Sequence, residues 1–198
     1  MAMIGPSSST GRYAVELCSG LGGIGLGLRS LGFTVVGAYD SWDAAVSIYN
    51  HNFPGDSAAE CNLVTSGGFA VVKDGCRRYK DIDLLAAGPP CKGFSQLRNG
   101  RHDGRNGHNR LLAAMPGYVA LLRPRLFLIE NVPDLLRHRQ GRTFASLLKD
   151  LRHPARGLRY TIEHEIYDAA AFGTPQARRR LLMLSVRSKK RRALSPQS

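Results

Sequence analysis

Short apolar runs, each followed by a helical pattern, constrain the fold of this chain more than any other feature. "YAVELC" reads as a strand that feeds a glycine turn and then a helix through "GLGLRSLG". "TVVGAYD" is a second strand ending on Asp40, with a helix through "DAAVSIYNHN" behind it. "DIDLLAAG" and "RLFLIEN" are continuous apolar runs of the kind found in parallel strands buried on both faces. Between them "LLAAMPGYVALL" is helical, and Pro116 is expected to start that helix or kink it. "RTFASLLKDLRH" is amphipathic, and "YTIEHEIYDA" and "RLLMLSV" close the series as strands. The alternation predicts an α/β fold with a mainly parallel sheet and helices on both faces.

A chain of 198 residues accommodates one such domain. No apolar run approaches the ~20 residues a membrane span needs. The opening "MAMIGPSSST" has neither the charge nor the apolar centre of a signal peptide. We expect residues 1–12 to be a disordered start, residues 13–187 the folded domain, and residues 188–198 a basic, disordered tail. Residues 96–110, glycine-rich and basic, read as a mobile loop. Lys and Arg total 28 against 15 acids, a net charge of +13. That excess suits a polyanion partner, and equally suits solvated basic faces. Cys18, Cys61, Cys76 and Cys91 form no C-x-x-C pair and no His stands at zinc-ligand spacing, so no metal site is expected. Free thiols fit a reduced, cytoplasmic setting.

The chemistry concentrates where strands end, since ligands of open parallel sheets collect beyond the carboxyl ends. Gly20, Gly22 and Gly25 fit G-x-G-x-x-G, and Asp40 stands where a dinucleotide fold keeps its ribose-binding acid, so the first loop taken locally reads as an NAD site. In "GPPCKGFSQ", Pro89 and Pro90 stiffen the turn that carries Cys91, a nucleophile if its thiolate is stabilised and otherwise a buried thiol. In "ENV", Glu130 ends an apolar strand; it is a solvated carboxylate unless it shares a pocket with Cys91. In "GTPQARRRLLML" an extended backbone would put Gln176, Arg178 and Arg180 on one face, suited to a carbonyl or an anion, or simply a basic strand edge.

In this order, "ELCSGLGGIGLGL", "GPPCKGFSQ", "ENV" and "GTPQARRR" resemble the S-adenosylmethionine-dependent DNA (cytosine-5) methyltransferases over residues 13–187. The resemblance implies a Rossmann-like methyltransferase fold and a cofactor, S-adenosylmethionine, in place of NAD. It implies cofactor contacts from Cys18, Gly20, Leu21, Gly23, Asp40, Trp42, Cys61, Asn62, Pro90 and Leu111, with Asp40 on the ribose hydroxyls and Trp42 on the adenine. It further implies that Cys91 attacks carbon 6 of cytosine, Glu130 contacts ring nitrogen 3 and the exocyclic amine, and Arg178 binds the carbonyl oxygen. Ser95, Val132, Gln176 and Arg180 would complete the substrate pocket. The partner so implied is double-stranded DNA with the target base flipped out.

The chain departs from that pattern in places. Lys92 stands where Gln is usual, Cys18 where Phe is common, and His108 where Arg is usual. No residues correspond to a target-recognition domain or to the closing motifs, which predicts an uncovered side of the sheet. Three expectations follow: the catalytic subunit of a split enzyme completed by a second chain, a minimal methyltransferase acting alone on DNA, RNA or a free nucleotide, or an inactive binding remnant.

Overall fold

The computed structural model describes residues 11–55, 58–90 and 107–188. Strand β1 (Tyr13–Leu17) leads through the glycine loop to α1 (Gly23–Ser30), followed by β2 (Thr34–Asp40), α2 (Asp43–Asn52), β3 (Ala58–Glu60) and α3 (Ser66–Cys76). Then come β4 (Leu84–Ala87), α4 (Gly107–Leu122), β5 (Leu126–Asn131), a single 3₁₀ turn (Pro133–Leu136) and α5 (Arg142–Arg152). A hairpin of β6 (Tyr160–Asp168) and β7 (Arg179–Arg187) ends the described chain.

The strands form one sheet in the order β3-β2-β1-β4-β5-β7-β6. β1 to β5 run parallel, and β7 pairs antiparallel with both β5 and β6. The chain winds outward from β1 to β3 in one direction and from β4 in the other. The switch point therefore falls between β1 and β4, where a ligand crevice opens beyond the carboxyl ends.

Alternation along each strand divides the core in two. Val15, Leu17, Leu85, Ala87, Phe127 and Ile129 face α3, α4 and α5, joined by Val72, Met115, Tyr118 and Leu151. Ala14, Leu84 and Ala86 face α1 and α2, joined by Leu28 and Tyr49. On this second side no helix among the described residues covers the β7 end, where Leu184 and Val186 are 50% and 55% exposed.

Some expectations need correction. Of the two expectations for Pro116, a helix start is excluded, since the residue lies inside α4 where the kink alternative put it. The loop expected to reach residue 110 ends sooner, because Gly107 already opens that helix. Arg12 lies among the described residues, and its carbonyl accepts Thr34 N–H. Most of the expected terminal segments and of the basic loop lies outside the described residues.

Candidate active site

The glycine loop is shaped from below. Cys18 takes φ +53° and Gly20 and Gly22 take +51° and +91°, so the chain turns sharply off β1. For Cys18 the left-handed backbone costs roughly 1–2 kcal/mol. A side chain at Gly22 would run into Phe53 and Tyr49, whereas at Gly20 and Gly23 there is open space. Those two glycines keep one side of the loop clear. Ser19 Oγ, within the loop, is buried with no hydrogen-bond partner among the described residues.

Asp40 closes the loop from β2. Its Oδ2 accepts Gly20 N–H at 2.9 Å and its Oδ1 accepts Trp42 N–H at 3.0 Å. One carboxylate therefore fixes the loop and the entry to α2 together, and each oxygen keeps a lone-pair direction for a further donor. Beside it opens a pocket of about 220 Å³ lined by Cys18, Asp40, Ser41, Cys61, Asn62, Leu63, Val64, Pro90 and Leu111. Six of the ten residues expected to touch a cofactor thus share one wall: Cys18, Asp40, Cys61, Asn62, Pro90 and Leu111. Gly20, Leu21 and Gly23 lie in the adjoining loop. Trp42 is 60% exposed rather than in the core, and it is Ser41 that reaches the pocket lining.

Burial decides the state of the described thiols. Cys18 is pushed up to about 12 by burial and, secondarily, by the Asp40 carboxylate. Cys61 and Cys76 are raised by burial as well. All three stay protonated near neutrality and none is an activated nucleophile. Cys91 and Ser95 lie outside the described residues.

The approach to Cys91 is nonetheless tightly held. Gly88 N–H donates to Leu17 O at 3.3 Å, and the buried Asn131 carboxamide donates to Pro89 O at 3.1 Å. Asn131 Oδ1 also accepts Val132 N–H at 2.9 Å, so one amide ties the end of β5 to the end of β4. A Cβ at Gly88 would sit 3.4 Å from Ile24 and 3.6 Å from Glu130 Oε2, which puts the proline turn and Glu130 side by side. Glu130 Oε1 accepts from Arg180 Nε at 2.6 Å, and both side chains are about three-quarters buried.

Of the expected stripe of Gln176, Arg178 and Arg180, only Arg180 lies within a strand, β7. Asp168 Oδ1 accepts Ala170 N–H and Arg178 N–H, and Gly173 takes φ +83°, so residues 169–178 fold into a turn. The ladder begins only at the Asp168–Arg179 pair. Gln176 and Arg178 are exposed in that turn, and among the described residues only Arg180 reaches Glu130.

Glu16 went unremarked in the sequence. It is fully buried on β1 beneath the loop, accepting Gly25 N–H at 3.1 Å and the Tyr49 hydroxyl at 3.0 Å. Arg29 donates to the same hydroxyl at 3.1 Å and lies 4.0 Å over the Phe53 ring. Burial raises the Glu16 carboxyl to about 7 against the pull of these donors. Gly25, the third glycine of the apparent dinucleotide fingerprint, faces this cluster and not the pocket. Asn131 was likewise passed over; the signal for both is a polar residue that closes or interrupts a mostly apolar strand. Among the described residues no group of His, Cys, Asp or Glu is arranged to hold a metal ion, and no helix is long and apolar enough to cross a membrane.

A family model described as C-5 cytosine-specific DNA methylase matches residues 13–198. The Type II methyltransferase M.AgeI of Thalassovita gelatinovora is 32% identical over 169 residues, 85% of this chain and 38% of that protein. M.HindV of Haemophilus influenzae is 30% identical over 86% of this chain and 51% of its own length. A solved structure of a putative DNA modification methyltransferase encoded within an E. coli prophage superposes with a TM-score of 0.71 at 25% identity, over 89% of this chain and 47% of that one. The chain spans about two fifths to half the length of such relatives.

Proposed function

This chain belongs to the C-5 cytosine-specific DNA methylase family, and from that premise we propose that it transfers a methyl group from S-adenosylmethionine to carbon 5 of a cytosine in DNA. The observation that supports the reading is that a Cβ at Gly88 would sit 3.6 Å from Glu130 Oε2 and 4.0 Å from the carbonyl of Cys18, a residue that lines the Asp40 pocket, at the carboxyl ends of the strands around the switch point. The residues present fit the cofactor. Asp40 has acceptor capacity left for ribose hydroxyls, Gly20 and Gly23 leave space for a close approach, and the buried Ser19 hydroxyl awaits a partner. When bound, S-adenosylmethionine supplies an electrophilic methyl group.

In this reading Cys91 adds to carbon 6 of a flipped-out cytosine, which makes carbon 5 an enamine carbon able to take the methyl group. Glu130 holds the ring edge, and Arg180 fixes Glu130. Arg178 and Gln176, exposed in the turn before β7, would have to swing inward or meet the base from the rim. A base then removes the carbon-5 proton, the ring double bond re-forms, and the Cys91 thiolate leaves. The deciding experiment is transfer of labelled methyl to mixed-sequence duplex DNA. Transfer that vanishes in Cys91→Ala while cofactor affinity holds supports the reading; transfer that survives the substitution overturns the nucleophile assignment.

A further inference from the structure

Outside the site just described, a wide cleft of about 630 Å³ opens between α4 and α5. Its α4 wall is short and apolar, formed by Leu112, Ala113 and Pro116, with Leu147 beneath. The other rim is cationic and hydroxylated. Arg139 and Arg142 stand there with Thr143 and Ser146. Arg142 Nε donates to Arg139 O at 3.1 Å, which ties the two residues into one unit and leaves the terminal guanidinium nitrogens of Arg142 outside that bond. Both arginines are exposed, and neither belongs to an ion pair among the described residues. The preceding His138 is held against Thr143 Oγ1 at 2.7 Å. Burial and the nearby Arg139 charge lower the His138 pKa, so the ring adds no charge of its own near neutrality.

One acid lines the cleft, Asp150. It lies about 12 Å along the α5 axis from Arg142. The cleft is therefore polarised, and an anion belongs at the Arg139–Arg142 end. That end follows the 3₁₀ turn leaving β5, so it lies toward the carboxyl edge of the sheet at which Glu130 stands, although α4 and α5 pack on the opposite face from the Glu130 side chain. Consecutive α4 residues connect the two places: Leu111 lines the Asp40 pocket and Leu112 lines the cleft.

We propose that this cleft is a second nucleic-acid contact, in which Arg139 and Arg142 hold phosphodiester oxygens of the duplex whose cytosine enters the candidate active site. The inference rests on the DNA reading above. Forked guanidinium donors beside two hydroxyls match a tetrahedral oxyanion. An open, solvated rim holds a lone small anion poorly, whereas a polymer delivers successive phosphates to it and gains from released counterions. The net charge of +13 adds a long-range attraction to the same partner.

The test is duplex binding by the full chain across a salt series, comparing wild type with Arg139→Gln/Arg142→Gln. A control variant, Arg152→Gln/Arg156→Gln, removes the same charge at the far end of α5. The cleft variant should flatten the slope of log affinity against log salt by about 0.9 for one shared phosphate or about 1.8 for two. The control should move it much less. Equal slopes for wild type and cleft variant, or equal flattening in the control, overturn the proposal, as does a wild-type chain that binds no duplex. Inorganic phosphate is titrated in parallel. Tight phosphate binding that the cleft variant loses, with an unchanged duplex slope, makes the cleft a small-anion site and overturns the backbone assignment. A chain that binds duplex but transfers no methyl overturns the functional reading alone, because the slope comparison still decides the cleft.

Discussion

Glu16 is fully buried, and its carboxylate oxygens are committed to Gly25 N–H and the Tyr49 hydroxyl. Burial dominates and raises its pKa from 4.5 to about 7, so folding favours the protonated form. Its contribution to stability is complete below the unfolded value and is lost as pH rises through about 7. The gap corresponds to about 3 kcal/mol. Glu16→Gln should therefore gain on wild type in thermal stability between pH 5 and pH 8; parallel melting-temperature curves would refute the assignment. Gly25 belongs to the same cluster. A methyl group there would stand 2.5 Å from Glu16 Oε2 and 2.8 Å from the Tyr49 hydroxyl. Gly25→Ala should cost about 1–3 kcal/mol of stability, measurable by denaturant unfolding, and a neutral outcome would mean the cluster yields. The spacing of the three glycines matched a dinucleotide loop because both loops must leave a strand sharply. Spacing does not say what each glycine faces, and Gly25 faces the core.

At the scale of elements, Thr34–Asp40 and Asp43–Asn52 form the strand and helix that "TVVGAYD" and "DAAVSIYNHN" announce, since each carries its own periodicity and ends on a polar residue. β3 and α3 were illegible for opposite reasons. β3 is three residues long, and α3 carries Gly67, Gly68 and Gly75, which read as loop. Gly68 is there because a side chain would strike the Asn62 carbonyl, and Thr65 caps the helix by accepting Gly68 N–H at 3.0 Å. Gln176 and Arg178 fall outside β7 because Asp168 captures the backbone ahead of it, a contact from the opposite strand that period-2 reasoning does not see. The β4–β5 link is likewise a tertiary feature. Asn131→Ala removes the donor to Pro89 O and leaves a buried carbonyl unsatisfied, at about 1–3 kcal/mol. Because Pro89 immediately precedes the Pro90–Cys91 step, methyl transfer should fall at least tenfold while S-adenosylmethionine affinity stays within twofold. Titration calorimetry alongside single-turnover transfer separates the two, and an equal loss of both would make Asn131 a purely structural residue.

For the whole molecule, the cofactor question reduces to which ligand holds the folded state. The ligand-free loop already hangs on Asp40, whose carboxylate joins Gly20 on the β1 side to Trp42 on the α2 side. A ligand that engages this carboxylate binds only the native arrangement, so it must raise the unfolding temperature by mass action. At a hundredfold excess over its dissociation constant the gain is about 2.7 kcal/mol, or roughly 5–11 °C for a chain of this size. S-adenosylmethionine and its demethylated product S-adenosylhomocysteine should both produce that rise, and NAD at the same concentration should produce none. Asp40→Ala should lower the ligand-free melting temperature, since two backbone N–H groups lose their acceptor, and should also abolish the rise. The two effects are separable in one thermal-shift series. A variant that melts early yet still gains the full increment would show that Asp40 builds the loop without touching the ligand. A rise with NAD would return the loop to the dinucleotide fold its glycine spacing imitates.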